Sequence, residues 1–386
     1  MKTATRILLI GAVTALIAVA LLPYWHAAAM LLRAAASDST LGRAARWDQH
    51  AVSSHLQEIQ TAEGRIRVRV FTPATTSGAA VLLVTGVHPD GVDDGRLVSL
   101  ATDLAGTGVN VVTPEIPDLQ QFRLTARVTN TIEHAAEWLA DQHELSGGRR
   151  IGMIGVSFSG GLSIVAAGRP ALRDRVAYVF SFGGHGNLPR VLRFFCTGVE
   201  PASPGGEAKR RQPHDYALAV LLHQAADLAV PPEQAASLRR GIEIFLHASA
   251  LTRVDQKGAE QEVDWSRAFQ RELPEPSATL LKLVNERRVA ELGARLLPYL
   301  DRLGQDPALS PDRSPAPSAT VYLLHGTDDN VIPAVESQLL AAHLEGKTRV
   351  HLLLSGFLRH VDVTARPSLA ETWRMIAFWK ALLSER

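Results

Sequence analysis

Two rhythms of apolar and polar positions run through this chain. Arg65-Ile-Arg-Val-Arg-Val-Phe71 alternates charged and apolar residues, the period-two pattern of a strand with one face in water. Farther on, short apolar runs without alternation recur at 81–85, 109–113, 151–154 and 176–182. Runs this short, closed by Gly, Thr or Pro, predict strands buried on both faces. Stretches with helical spacing separate them, near 96–107 and 125–143, and a further helix follows residue 154. Alternating strands and amphipathic helices predict an α/β fold: a doubly wound, mainly parallel sheet with helices on both faces. The half-wet strand at 65–71 suits an antiparallel edge of that sheet.

The strand rhythm stops between 187 and 318 and resumes at 320–324 and 349–354. The interruption has helix-like stretches at 216–227, 232–249 and 278–297, and a polar loop at 201–213 containing Lys209-Arg-Arg211, read as solvated. A proline-rich return follows at 307–317. The predicted organisation is an apolar terminal segment at 1–32 and a polar, helical connector at 33–63. A sheet core then occupies 64–186 and 319–386, with a helical insertion at 187–318. Phe194, Phe195 and Trp265 are candidate pocket or core residues, core packing being the expected fate.

At the N-terminus, Lys2 and Arg6 precede an uncharged run from Ile7 to Leu22 that ends in Pro23-Tyr24-Trp25. Those residues in a helix cover about 24 Å, and the aromatic pair extends the run towards the width of a bilayer core. Two readings arise. One is an uncleaved single-pass anchor with the rest of the chain on the non-cytoplasmic side. The other is a signal peptide cleaved near Ala34-Ala-Ala-Ser37, giving a secreted or periplasmic protein. The run exceeds an ordinary signal core and the alanine site lies well beyond it, so the anchor is preferred.

With 40 basic and 39 acidic residues, nothing in the global charge points to nucleic acid. The single cysteine, Cys196, excludes an intrachain disulfide. No glycine-rich phosphate loop and no Cys/His metal spacing occurs, so neither a metal nor an organic cofactor is expected.

The candidate chemistry starts at Arg150-Ile-Gly-Met-Ile-Gly-Val-Ser-Phe-Ser-Gly-Gly161. An apolar strand runs into small residues that permit a sharp strand-to-helix turn, with Ser157 at the apex and the Phe158 N–H free at the helix start. A serine hydroxyl needs a base and an oxyanion site around it before it becomes a useful nucleophile. Downstream, His325-Gly-Thr-Asp-Asp-Asn-Val-Ile-Pro333 follows one strand, and His360 follows another in Ser355-Gly-Phe-Leu-Arg-His-Val-Asp362.

Ser157, Asp329 and His360 stand in the chain order of α/β-hydrolase triads. With these motifs the chain resembles that superfamily, and its serine esterases and lipases in particular, from about residue 64 to the C-terminus apart from the insertion. The resemblance implies Ser157 as nucleophile, His360 as base, Asp329 as its orienting acid, and a small ester or acyl substrate. The insertion then takes the place of a helical cap or lid. The family elbow is G-x-S-x-G, whereas Ser159 stands here at the second glycine. A rival register makes Ser159 the nucleophile, but the strand entering Gly155 favours Ser157. The family motif H-G-x-x-D-x-x-V-P selects Asp329 over Asp328, which reads as a turn residue, and leaves His325 structural. His343 and His351 compete with His360, yet only His360 lies in a loop beyond the last strand. The oxyanion loop, Gly86-Val-His-Pro-Asp-Gly91, departs from the family His-Gly pattern, with Thr85 in the histidine's place. Its expected donor is the Val87 N–H, or alternatively that of His88. His88 either orients the loop by hydrogen bonds or is a solvated loop histidine, and His185, at a strand end, either touches substrate or makes a structural hydrogen bond. A peptidase or acyltransferase would use the same triad, and a catalytically silent binding module is the alternative from another class.

Overall fold

The computed structural model describes residues 24–30, 32–33, 40–46, 49–252, 255–356, 358–359, 362–363 and 368–385. Eight strands form one sheet: β1 (Val52–Thr61), β2 (Gly64–Pro73), β3 (Ala80–Val84), β4 (Asn110–Pro114), β5 (Ile151–Val156), β6 (Val176–Phe182), β7 (Thr320–Gly326) and β8 (Val350–Ser355). Their order is β1-β2-β4-β3-β5-β6-β7-β8. Only the β1–β2 and β2–β4 pairs are antiparallel, and the remaining five are parallel. A mainly parallel sheet covered by helices agrees with the α/β fold expected from the apolar runs.

β1 corrects the reading of the connector as helical. Thr40–Ala44 is a short helix there, but Val52–Thr61 is a ten-residue strand. Most of β1 is exposed, so Ser53, Ser54, Gln57 and Glu58 leave no apolar run to read. Its backbone groups find their partners along β2, from Val52 opposite Pro73 to Thr61 opposite Gly64. On β2, Ile66, Val68 and Val70 point inward while Arg65 and Arg67 remain exposed, as the alternation predicted.

Among the described residues, the helices of eight or more residues are α1 (Gly95–Ala105), α2 (Ala126–Asp141), α3 (Phe158–Ala167), α4 (Leu188–Thr197), α5 (Asp215–Ala229), α6 (Pro232–Leu251), α7 (Gln256–Gln270), α8 (Ser277–Asn285), α9 (Val289–Leu296), α10 (Val335–Leu344) and α11 (Leu369–Leu383). One apolar layer joins the sheet to α2, α3 and the inserted helices through Ile132, Leu162, Phe195, Leu218, Ile242 and Leu281. The opposite layer contains Leu97 and Ala101 of α1, Phe378 and Trp379 of α11, and Ala27 and Met30. Each face of the sheet is therefore covered. Among the described residues no helix is long and apolar enough to cross a membrane; the run from Ile7 to Leu22 lies outside them.

Three features of the insertion differ from expectation. The helix predicted over 278–297 is two helices, α8 and α9, because the chain breaks at Arg287, whose φ is 54°. That left-handed conformation ends α-helical hydrogen bonding. Helix α7 has only a thin inward face, with Ala259 and Ser266 buried and Phe269 half-buried against the core. Trp265 on that helix is 54% exposed, so it joins neither a pocket nor the core. Phe194 and Phe195 are buried core residues.

Candidate active site

The turn after β5 is as sharp as the sequence demanded. Ser157 sits at φ 58°, ψ −132°, between the end of β5 and the first residue of α3. A non-glycine residue there costs on the order of 1–3 kcal/mol, which the surroundings must hold in place. They do so through the Ser157 N–H, which donates to the Phe182 carbonyl at 2.7 Å, and through the Ser157 carbonyl, which accepts from Gly160 at 2.9 Å. Helix α3 starts hard against the strand. A Cβ at Gly155 would lie 2.6 Å from the Ser159 carbonyl carbon and 2.7 Å from the Gly160 Cα, so only glycine fits.

The two serines differ in what occupies their hydroxyls. Ser159 is fully buried, and its Oγ accepts from the Val156 N–H at 2.9 Å. The same Oγ lies 2.8 Å from the Val156 carbonyl and 3.0 Å from the Val84 carbonyl, to either of which its proton can go. Ser159 thus ties the helix start to two strand ends, as a structural group does. Ser157, one position before the helix, faces the loop that follows β3. A Cβ built on Gly86 would come within 3.2 Å of the Ser157 Cβ and 3.9 Å of its Oγ. The backbone at residue 86 therefore crosses within van der Waals reach of Ser157, with Val87 next along it.

The loop after β3 is held from several sides. His88 Nδ1 accepts from the Asp90 N–H at 3.3 Å, and the Gly91 N–H donates to the His88 carbonyl at 3.2 Å. Burial holds the imidazole of His88 below its ordinary pKa, with nearby Asp94 opposing the shift. A neutral ring is what lets Nδ1 accept. The Tyr216 hydroxyl, on α5, donates to the Val87 carbonyl at 3.1 Å. Sequence reasoning missed this contact, since Tyr216 carries no local signal that its hydroxyl reaches a loop 129 positions away.

Asp329 is fully buried beyond β7. Its Oδ1 accepts from the N–H groups of Val331 at 2.8 Å and Ile332 at 2.9 Å, and its Oδ2 lies 3.2 Å from His325 Nε2. His325 Nε2 also faces the Ile332 carbonyl at 2.8 Å, so two acceptors place the proton on that nitrogen. Its Nδ1 then accepts from Ser337 Oγ at 2.7 Å. Asp328 instead points outward to Arg211 at 3.3 Å, the turn role read for it.

His360 lies outside the described residues; its flanks, Leu358–Arg359 and Asp362–Val363, pair antiparallel. The rival histidines are engaged elsewhere. His343 meets Lys347 at 3.0 Å on the surface, and His351, near the start of β8, stacks on Tyr322 with ring centroids 4.7 Å apart. His185 is completely buried, and its Nε2 donates to the Leu309 carbonyl at 2.8 Å. Its ring lies against Phe158, centroids 5.4 Å apart. Of the two roles open to His185, the geometry matches the structural hydrogen bond. Nearby, the buried carboxylate of Glu336 accepts from the N–H groups of Gly186 and Asn187 and from Arg190, fastening the loop after β6 to α10.

A cleft of about 470 Å³ opens beside the acid loop, lined by Arg211, His214, Asp215, Arg287 and Asn330 among others. Its arginines are paired, Arg211 with Glu200 and Arg287 with Asp215. Among the described residues no three His, Cys, Asp or Glu side chains converge as metal ligands would.

No family model and no curated protein matches the sequence. Solved structures similar to the chain include a variant of the rice cell wall degrading esterase LipA from Xanthomonas oryzae, at 12% identity and TM-score 0.48, over 87% of this chain and 91% of that one. An esterase from Pyrobaculum calidifontis matches at 16% identity and TM-score 0.44, over 89% of each chain. The Pyrococcus horikoshii acylaminoacyl peptidase matches at 12% identity and TM-score 0.47, covering 90% of this chain but 43% of that one. The chain thus spans less than half of that peptidase. Likenesses this loose assign no activity.

Proposed function

We propose that the protein is a serine hydrolase that cleaves a small carboxylic ester through an acyl-enzyme. The observation that carries this reading is the pair of serines at the elbow. Ser159 has its hydroxyl committed to backbone, whereas Ser157 stands in a strained turn at a helix start, within reach of the backbone at Gly86. Strain of this kind concentrates where a side chain must be presented for chemistry.

In this reading the Ser157 hydroxyl attacks the acyl carbonyl while His360 takes its proton, and Asp329 orients the imidazole and stabilises its charged form. The N–H groups of Phe158 and Val87 hold the oxygen on which negative charge develops, each worth about 3–4 kcal/mol of barrier. His360 then returns the proton to the leaving alkoxide, and water repeats the cycle on the acyl group. The preformed N–H donors around Asp329 support its role, since they hold the carboxylate in one orientation. The inserted helices serve as the cap over the acyl site, and the apolar run from Ile7 to Leu22 tethers the domain to a membrane; the segment expected over 1–32 ends earlier, because Ala27 and Met30 pack against the sheet.

The test is turnover of p-nitrophenyl acetate by wild type, Ser157→Ala and His360→Ala. Wild-type activity lost in both variants supports the proposal, and activity intact in either one contradicts it. Carbonate extraction that releases full-length protein from membranes would remove the tether from it.

A further inference from the structure

The short segment from His214 to Tyr216 touches both arms of the candidate site. The His214 N–H donates to the carbonyl of Asn330 at 2.9 Å, next to Asp329 in the acid loop. Two residues on, the Tyr216 hydroxyl donates to the carbonyl of Val87 at 3.1 Å, in the loop that passes Ser157. Between these contacts the chain is pinned at the start of α5, where the Tyr216 N–H points at Asp215 Oδ1 at 2.9 Å and at His214 Nδ1 at 3.2 Å. The inserted helices are thereby fastened to the sheet core at the two loops that the chemistry needs.

We propose that Tyr216 is a positioning residue, a clamp from the insertion that sets the orientation of the Val87 backbone and so of the oxyanion donor beside Ser157. This rests on the hydrolase reading above. The carbonyl of Val87 shares one rigid peptide plane with the His88 N–H, so holding that carbonyl fixes the alternative donor directly and anchors the Val87 α-carbon from which its own N–H extends. The rest of the loop is braced farther along, by His88 with Asp90 and by Gln120 Nε2 on the Pro89 carbonyl at 3.5 Å. Val87 itself is held by the tyrosine. Burial pushes the phenol well above its ordinary pKa, so it remains a donor throughout the working pH range. Preorganised donors matter because turning them during the reaction adds directly to the barrier.

Tyr216→Phe removes the oxygen and keeps the ring, so packing on α5 survives. Kinetics on p-nitrophenyl acetate and p-nitrophenyl octanoate, with amide hydrogen exchange across residues 86–94, test the proposal. The expected result is a kcat about tenfold lower by the same factor on both esters, as when one neutral hydrogen bond is lost. KM stays within twofold, and exchange at Val87 and His88 speeds up about tenfold. A purely structural tyrosine changes thermal stability and leaves kcat alone, and a pocket wall changes KM or affects one acyl length only. Either result overturns the positioning role. Unchanged exchange overturns the clamp itself. Wild type no faster than Ser157→Ala overturns the hydrolase reading and the catalytic half of this proposal, while the exchange measurement still decides the clamp.

Discussion

Gly86→Ala adds one methyl group at the point where the loop after β3 passes the candidate nucleophile. The new carbon would stand 3.2 Å from the Ser157 Cβ and 3.3 Å from the Val156 carbonyl oxygen. Carbon atoms pack comfortably at about 3.5–4.0 Å, so the loop or the serine must yield by a few tenths of an ångström. Gly86 does not adopt a positive φ, so alanine brings no backbone strain of its own. Alanine also restricts the unfolded chain, which stabilises by about 0.4–1 kcal/mol, while mild crowding costs about 1 kcal/mol. The two nearly cancel, and the unfolding free energy should change by less than about 1 kcal/mol. Activity responds differently, because the shift falls on the Gly86–Val87 peptide. Complete loss of an oxyanion donor lowers kcat by about 10²–10³, so partial displacement should lower it by about 10- to 100-fold. The assay is kcat on p-nitrophenyl acetate beside urea unfolding of the same preparation. Wild-type kcat with unchanged stability would refute the argument, since the backbone at 86 would then not face the reacting carbonyl.

Ser159→Ala should retain kcat within a few-fold yet unfold at lower urea, by about 1–3 kcal/mol, because the partly buried Val156 N–H loses its acceptor; a collapse of activity in the folded variant would restore Ser159 as nucleophile. Burial holds His88, His185 and His223 below their ordinary pKa. Their neutral forms are favoured in the fold, so their contribution is complete above about pH 6.5 and is lost as pH falls below it, where the unfolded chain binds more protons. The urea midpoint should be lower at pH 5.5 than at pH 7.5, and His185→Leu should shrink that difference. An equal midpoint at both pH values would contradict the assignment.

How much the sequence revealed depends on where each residue's partners lie. β3, β5, β6 and β7 were legible because strands buried on both faces must be continuously apolar. The elbow was legible because Gly155 and Gly160 are chain neighbours of Ser157. β1 was not, since a largely exposed strand is defined by its backbone pairing with β2 and not by its side chains. Nor was α7, a surface helix with only a thin inward face. The choice between Ser157 and Ser159 was only half legible. The Val84 carbonyl that engages Ser159 comes from 75 positions away, and no local pattern reports it. The role of His185 stayed open for the same reason, its acceptor on Leu309 lying 124 positions downstream.

The most direct measurement is covalent labelling with a fluorophosphonate, followed by peptide mapping. The account predicts one phosphonyl group per chain, attached to Ser157, and none on Ser157→Ala. Label on Ser159, equal label on both proteins, or no label on folded wild type would contradict it.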